Sequence, residues 1–222
     1  MIELAPIFQT VEAVMEENRL VINQADTVNG NHGDHMVEIF SIAVQAASQK
    51  QAEGLAAAMF FAGELLGEIP ENGSARVYGQ GLAQFGLQFD KYNLTMDDLT
   101  PYLRNVLQES SEHETAEAAP RSGDILKALV NALAGWQQVG TGQPKAANRL
   151  DLGYMFDLGI AYMQAKQRNP SRAEVLADAA VTVSPLGQVA WRYQSGKLAI
   201  LTLLRAMASD QENQSEKTDS PA

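Results

Sequence analysis

The chain reads as all-α, and three observations carry that reading. Apolar residues recur at three- and four-residue spacing along nearly all of its 222 residues. No run alternates β-branched or aromatic residues with polar ones, as a half-buried strand would. Proline, glycine and asparagine fall in clusters between the periodic stretches, where helices stop. With 45% hydrophobic residues the chain can bury one sizeable core, as a single domain over residues 1–210. About eight helices fit bundles and closed helical barrels alike, and periodicity does not choose between them.

The first helix is predicted from Leu4 to Arg19, with Pro6 tolerated in its opening turn. After an Asn/Gly-rich loop a second begins near Asp34, where Met36, Ile39, Phe40, Ala43, Val44 and Ala47 form one stripe. A third covers Ala52 to Glu68 and ends at Pro70 and the ENGS turn, and a fourth carries Tyr78, Leu82 and Phe85. Thr95 is the expected N-cap of a helix through Leu107, with Asp97 and Asp98 as first-turn acids. Glu109 to Ala119 is polar and reads as a loop. Ser122 and Asp124 start the next helix, in which Leu126, Leu129, Val130, Leu133 and Trp136 share a face, until Gly140, Gly142 and Pro144 break it. Two more helices follow, Ala146 to Gln167 and Ser171 to Val183, separated by Asn169-Pro170. The last, Gly196 to Ser209, contains LAILTLLRAM, apolar nearly all round and therefore expected at the centre. From Gln211 onward the chain is polar and expected to be a disordered tail.

Composition excludes several function classes. A net charge of -11 and a pI near 4.7, with no Lys/Arg cluster, argue against nucleic acid or an anionic membrane as partner. There are no cysteines, so disulfides and thiolate metal sites are out, and any metal would rest on oxygen or imidazole. The N-terminus has no basic region and carries Glu3, Glu12, Glu16 and Glu17, unlike a signal peptide. The richest apolar stretch is interrupted by Glu64 and Glu68 and is too short to span a bilayer. The expected location is cytoplasmic.

The segment Asn23 to Met36, NQADTVNGNHGDHM, stands out. A loop that holds phosphates through magnesium needs hard oxygen donors at short spacing and glycines that let the backbone approach. Gly30 and Gly33 supply the glycines, and the helix opening near Asp34 would aim its dipole at an anion. The bland alternative is a connecting loop whose Asn and Gly residues accept left-handed φ. His32, Asp34, His35 and Asp26 could instead form an imidazole and carboxylate metal site. Asn29-Gly30 is also a pair that can deamidate to an acid.

This segment resembles the pattern N/D-x5-D-G-D-x-G-x-N-M of the L subunit of dihydroxyacetone kinases and the nucleotide-binding domain of fatty acid kinases. In that family the acids hold magnesium ions that bridge the nucleotide phosphates; the matching metal positions here are Asn23, Asn29 and Asn31, which bring no charge. His32 stands where Thr or His is usual, and His35 replaces an Asn. NGSARVYGQGLAQF resembles the family's small-residue phosphate loop, matched at Gly73, Ser74, Tyr78 and Gly79. PRSGDILKALVNAL is similar to P-G-D-K-T-M-L-D-A-L, keeping Pro120, Leu126, Ala128 and Leu129 but with Arg121 to Asp124 replacing Gly-Asp-Lys-Thr and Lys127 replacing an Asp. SPLGQVAWRYQSGKLAI resembles the lid S-Y-L-G-E-R-S-x-G-H-x-D-P-G-A, keeping Ser184, Leu186, Gly187 and Gly196 and losing the Glu-Arg pair, the His and the Asp-Pro.

The resemblance implies an all-α barrel of about eight helices with these loops at one end. It implies nucleotide-contacting positions Gly30, His32, Gly33, His35, Gly73, Ser74, Gly79, Ser184 and Gly187. Because the losses run through the metal loop, the Gly-Asp-Lys-Thr segment and the lid, the expected function is that of a degenerate, pseudo-kinase subunit. It would bind a protein partner, or a nucleotide weakly, with no catalytic residue and no required cofactor. The alternatives are an active ADP- or ATP-binding phosphotransferase subunit that uses magnesium, with Asn31, His32, Asp34 or His35 as substitute ligands, and a structural scaffold. In the dihydroxyacetone system a separate subunit binds the acceptor, and no such domain fits within this length. Trp136 and Trp191 are expected in the core, and Ser74 and Ser184 lack a neighbouring base in the sequence.

Overall fold

A computed structural model describes residues 3–107, 121–137, 152–168 and 171–209. All regular structure among them is helical. Helix α1, Leu4–Ala25, buries Leu4, Ile7, Phe8, Val11, Met15 and Ile22, a three-and-four-spaced stripe whose larger members each contribute about 1.5–3 kcal/mol of transfer free energy. It outruns its expected end at Arg19 because LVINQ contains no breaker. Leu20 and Val21 are two-thirds exposed and hide the continuing stripe, which Ile22 resumes. Helix α2, His32–Gln49, begins two residues earlier than expected and buries Met36, Ile39, Phe40, Ala43, Ala46 and Ala47.

The expected third helix divides into a 3-10 turn, Gln51–Glu53, and α3, Leu55–Gly67. Gly54 between them has φ +94, a conformation that ends one helix before the next starts. Helix α4, Gly73–Lys91, crosses α3 closely: a Cβ on Gly79 would lie 2.9 Å from the Gly63 carbonyl oxygen, so small residues set the distance. Helix α5, Met96–Leu107, carries Pro101. Its start is secured by Asp98, whose carboxylate accepts from both the amide and the hydroxyl of Thr95 at 2.8 Å and pairs with Arg121 at 3.2 Å. Asp98 thus does more than supply first-turn charge, since Arg121 also donates to the carbonyls of Asn93 and Tyr92. That contact ties the start of α6, Ser122–Gln137, to the turn before α5.

Helix α6 buries Ile125, Ala128, Val130, Ala132 and Trp136; Leu126, expected on that face, is half exposed. Helix α7 is Leu152–Arg168 and α8 is Arg172–Thr182, capped by Ser171, whose hydroxyl accepts from the Glu174 amide. A 3-10 turn, Pro185–Gln188, leads into α9, Ala190–Ser209, which starts six residues before Gly196. The central position expected for α9 is met only in part. It packs on α1, α5 and α8, but Ser195, Gly196 and Ala199 are its fully buried residues, while Leu198, Ile200, Leu203 and Met207 are half-buried.

Packing follows chain order from α1 to α4, passes from α4 to α6, and returns to α1 through α9. A second, smaller core joins α6, α7 and α8 through Val130, Ala161, Ala165, Val175 and Ala179. No described helix is long and apolar enough to cross a membrane. Pro120, the Glu109–Ala119 loop, the Gly140–Pro144 break, Asn169-Pro170 and the tail from Gln211 lie outside the described residues.

Candidate functional site

The additional turn and a half of α1 decides the geometry of the Asn/Gly-rich loop. It keeps Asn23 helical and swings its carboxamide onto the start of α2. There Oδ1 accepts from the amides of Gly33 at 2.6 Å and Asp34 at 3.3 Å, while Nδ2 donates to Asp34 Oδ2 at 3.2 Å. Asp34 is held from its other side by Arg19 at 3.0 Å. The helix amides expected to face an anion are therefore occupied by a side chain of the preceding helix. Glycine is required at position 33 because a Cβ would collide with the Arg19 carbonyl oxygen, where the two backbones cross.

Between the helices, Gly30 turns with φ +68 and Asn29 is exposed. Asp26 is 6% exposed, and its Oδ1 accepts from the Val28 amide at 2.9 Å. Burial pushes the Asp26 carboxyl up, but the amides of Val28, Asn31 and Asn29 outweigh it and hold the group below the ordinary carboxylate range. Asn31 Oδ1 is buried without a hydrogen-bond partner among the described residues.

His32 is 1% exposed and joins three helix starts. Its Nε2 lies 2.7 Å from Ser195 Oγ of α9, and its Nδ1 lies 3.5 Å from Ser74 Oγ of α4. Trp191 meets the imidazole edge-on with centroids 4.4 Å apart. Burial, and then the nearby Arg192 guanidinium, push its pKa down to about 4, with Asp26 opposing them. The ring is thus neutral at pH 7. With the Ser195 hydroxyl donating to the Arg192 carbonyl at 3.1 Å, one consistent assignment has Nε2–H donating to Ser195 and Nδ1 accepting from Ser74.

The other expected site residues divide sharply. Gly73 opens α4 beneath Arg192, whose Nη2 would lie 3.5 Å from a Cβ there. Gly73 and Ser74 are already helical, so this is a helix start and not a loop. The cap is the buried Asn72, accepting from the Ala75 amide at 2.9 Å while donating to Glu38 Oε2 at 2.8 Å and to the His35 carbonyl at 3.2 Å. His35 enters this arrangement through its backbone carbonyl. Gly79 sits deeper in α4, at the contact with α3. Ser184 caps the 3-10 turn, donating to the Val181 carbonyl at 2.9 Å and accepting from the Leu186 amide at 3.3 Å. A Cβ on Gly187 would lie 2.6 Å from the Val181 carbonyl oxygen. Ser184 and Gly187 shape the turn that lays Leu186 against Gly196, one residue beyond Ser195.

Ser195 and Arg192 were not among the residues singled out from sequence. With α9 expected to begin at Gly196, the spacings that put Trp191 and Ser195, or Arg192 and Ser195, on one side of a helix were invisible. Trp136 is core at 4% exposed, whereas Trp191 is half-buried between His32 and Arg192, whose guanidinium carbon stands 4.8 Å over the indole.

This donor set does not suit magnesium. Asn23 Oδ1 is already accepting two amides, Asn29 lies in an exposed bend, and Asp26 Oδ1 takes the Val28 amide, which leaves Asp26 Oδ2 and Asn31 Oδ1 as buried oxygens without a partner among the described residues. Among the described residues no three His, Asp or Glu side chains gather around a common point, since His32 turns to Ser195 and Asp34 to Arg19. Comparison with family models, with curated proteins and with solved structures finds no match to this chain.

Proposed function

We propose that this chain is a degenerate, non-catalytic relative of the L subunit of dihydroxyacetone kinase, retained to bind a protein partner or, weakly, a nucleotide. One observation carries the reading: the Asn23 carboxamide caps α2 at 2.6 Å instead of facing a metal. Phosphoryl transfer in such systems is positioning plus charge neutralisation by the metal ion. A loop whose family metal positions are the uncharged Asn23, Asn29 and Asn31, with Asn23 turned onto α2, is poorly equipped for either.

Titration calorimetry and thermal shift with ADP and ATP, each with and without magnesium, test this. Freshly purified protein is expected to show no magnesium-dependent binding, and micromolar ADP affinity that requires magnesium would sink the proposal. The double variant Asn29→Asp, Asn31→Asp is expected to gain a magnesium-dependent shift that the parent chain lacks, which would locate the loss in the missing charge.

Arg192 favours a second reading, a subunit that still binds the phosphates of ADP or ATP. It forms no ion pair among the described residues and stands beside the start of α4, where positive charge and helix dipole would both attract an anion. Nucleotide binding abolished by Arg192→Ala but indifferent to magnesium would favour this reading.

A further inference from the structure

The chain contains two Asn-Gly pairs, Asn29-Gly30 and Asn72-Gly73, and the fold treats them in opposite ways. In such a pair the glycine nitrogen is poorly shielded and its backbone is free to approach the preceding carboxamide. We propose that Asn29 is a site of spontaneous deamidation in the folded protein and that the fold protects Asn72 from the same reaction.

Asn29 is exposed in the bend between α1 and α2. Gly30 is at φ +68, and the nearest heavy atom to a Cβ there would be the Asn23 carbonyl oxygen at 4.0 Å, so there is room for the chain to rearrange. Asn72 is 1% exposed and held at both ends of its carboxamide, by the Ala75 amide on one side and by Glu38 and the His35 carbonyl on the other. Its glycine is the first residue of α4. For Asn72 to react, three hydrogen bonds and a helix start must first open.

The step at Asn29 is closed in atoms and electrons. The Gly30 nitrogen attacks Cγ of Asn29, the new C–N bond forms as the Cγ–Nδ2 bond breaks, and the amide proton leaves with ammonia. Water then opens the succinimide at either carbonyl, giving aspartate or isoaspartate, with no oxidant or reductant. The formal charge falls from -11 to -12, since one neutral amide becomes one carboxylate. The new charge arises in the loop whose amides hold Asp26, and the isoaspartate form lengthens that loop's backbone by one methylene. This inference stands apart from the proposed loss of catalysis, which its failure would leave untouched.

Incubation of the full-length protein in mildly alkaline buffer, followed by tryptic mapping, reads both sites at once. Asn29 falls in the peptide Leu20 to Lys50 and Asn72 in the peptide Gln51 to Arg76. In the folded protein the amide-to-acid mass gain should accumulate at Asn29 about tenfold or more faster than at Asn72, because local opening must precede reaction at the buried site. In urea the two rates should converge. Comparable conversion of both sites in the folded chain, or an Asn29 that stays an amide there, overturns the proposal.

Discussion

At the scale of single residues, two polar side chains, Asn23 and His32, link helix starts at this end of the molecule. Asn23 was legible as a position in a pattern but not as a cap, because a cap depends on where α1 ends, and exposed Leu20 and Val21 obscure that end. Asn23→Ala should cost about 1–2 kcal/mol in urea denaturation, since it removes a helix cap and leaves the buried Gly33 amide unpaired. His32 gives a pH signature. Its folded pKa of about 4 lies below its ordinary 6.5, so the unfolded chain binds the proton first as pH falls. Stability should be complete above pH 6.5 and decline between 6.5 and about 4, by up to about 1.4 kcal/mol per pH unit. Asp26 is depressed below 3.8, so its contribution is lost mainly below about pH 4 and adds to the slope only at the acid edge of that window. His32→Gln should flatten the slope between pH 6.5 and 4 in denaturation curves; an unchanged slope would assign it to another group.

At the scale of elements, helix identity was readable from periodicity, and so were ends such as Leu107, Ser122, Ser171 and Ser209, whereas the end of α1 and the start of α9 were not. The interior stripes of α1, α2 and α4 follow directly from apolar spacing. The start of α9 was missed because its first turn, AWRYQ, carries Trp, Arg and Gln, which look like loop chemistry until His32 and Leu186 provide something to pack against. Gly79 was read as part of a phosphate loop, yet its role is the α3–α4 crossing against Gly63. Gly79→Ala should therefore destabilise by about 1–3 kcal/mol through overpacking, measured by chemical denaturation. A neutral result would mean that the two helices can part at no cost. The same substitution at Gly67, around which nothing lies within 4 Å, serves as the control.

At the scale of the whole molecule, the all-helical class followed from the absence of strand patterning, and the joining of three helix starts at His32 did not, being a long-range contact between residues 32, 74 and 195. The loop is tied through the side chains of Asn23, Asp26 and Arg19. Neither a chelator nor millimolar magnesium should shift the melting temperature, and a rise of several degrees with magnesium would mean that a metal site forms after all. The two indoles of the chain sit in contrasting places. Trp136 is sealed in the interior with its N–H on the Val77 carbonyl at 2.8 Å, and Trp191 lies half-open beneath Arg192 against His32. The protein thus carries its own optical gauge: an arrival at the meeting point of α2, α4 and α9 would perturb the emission of one indole while the other, shielded in the core, serves as the internal reference.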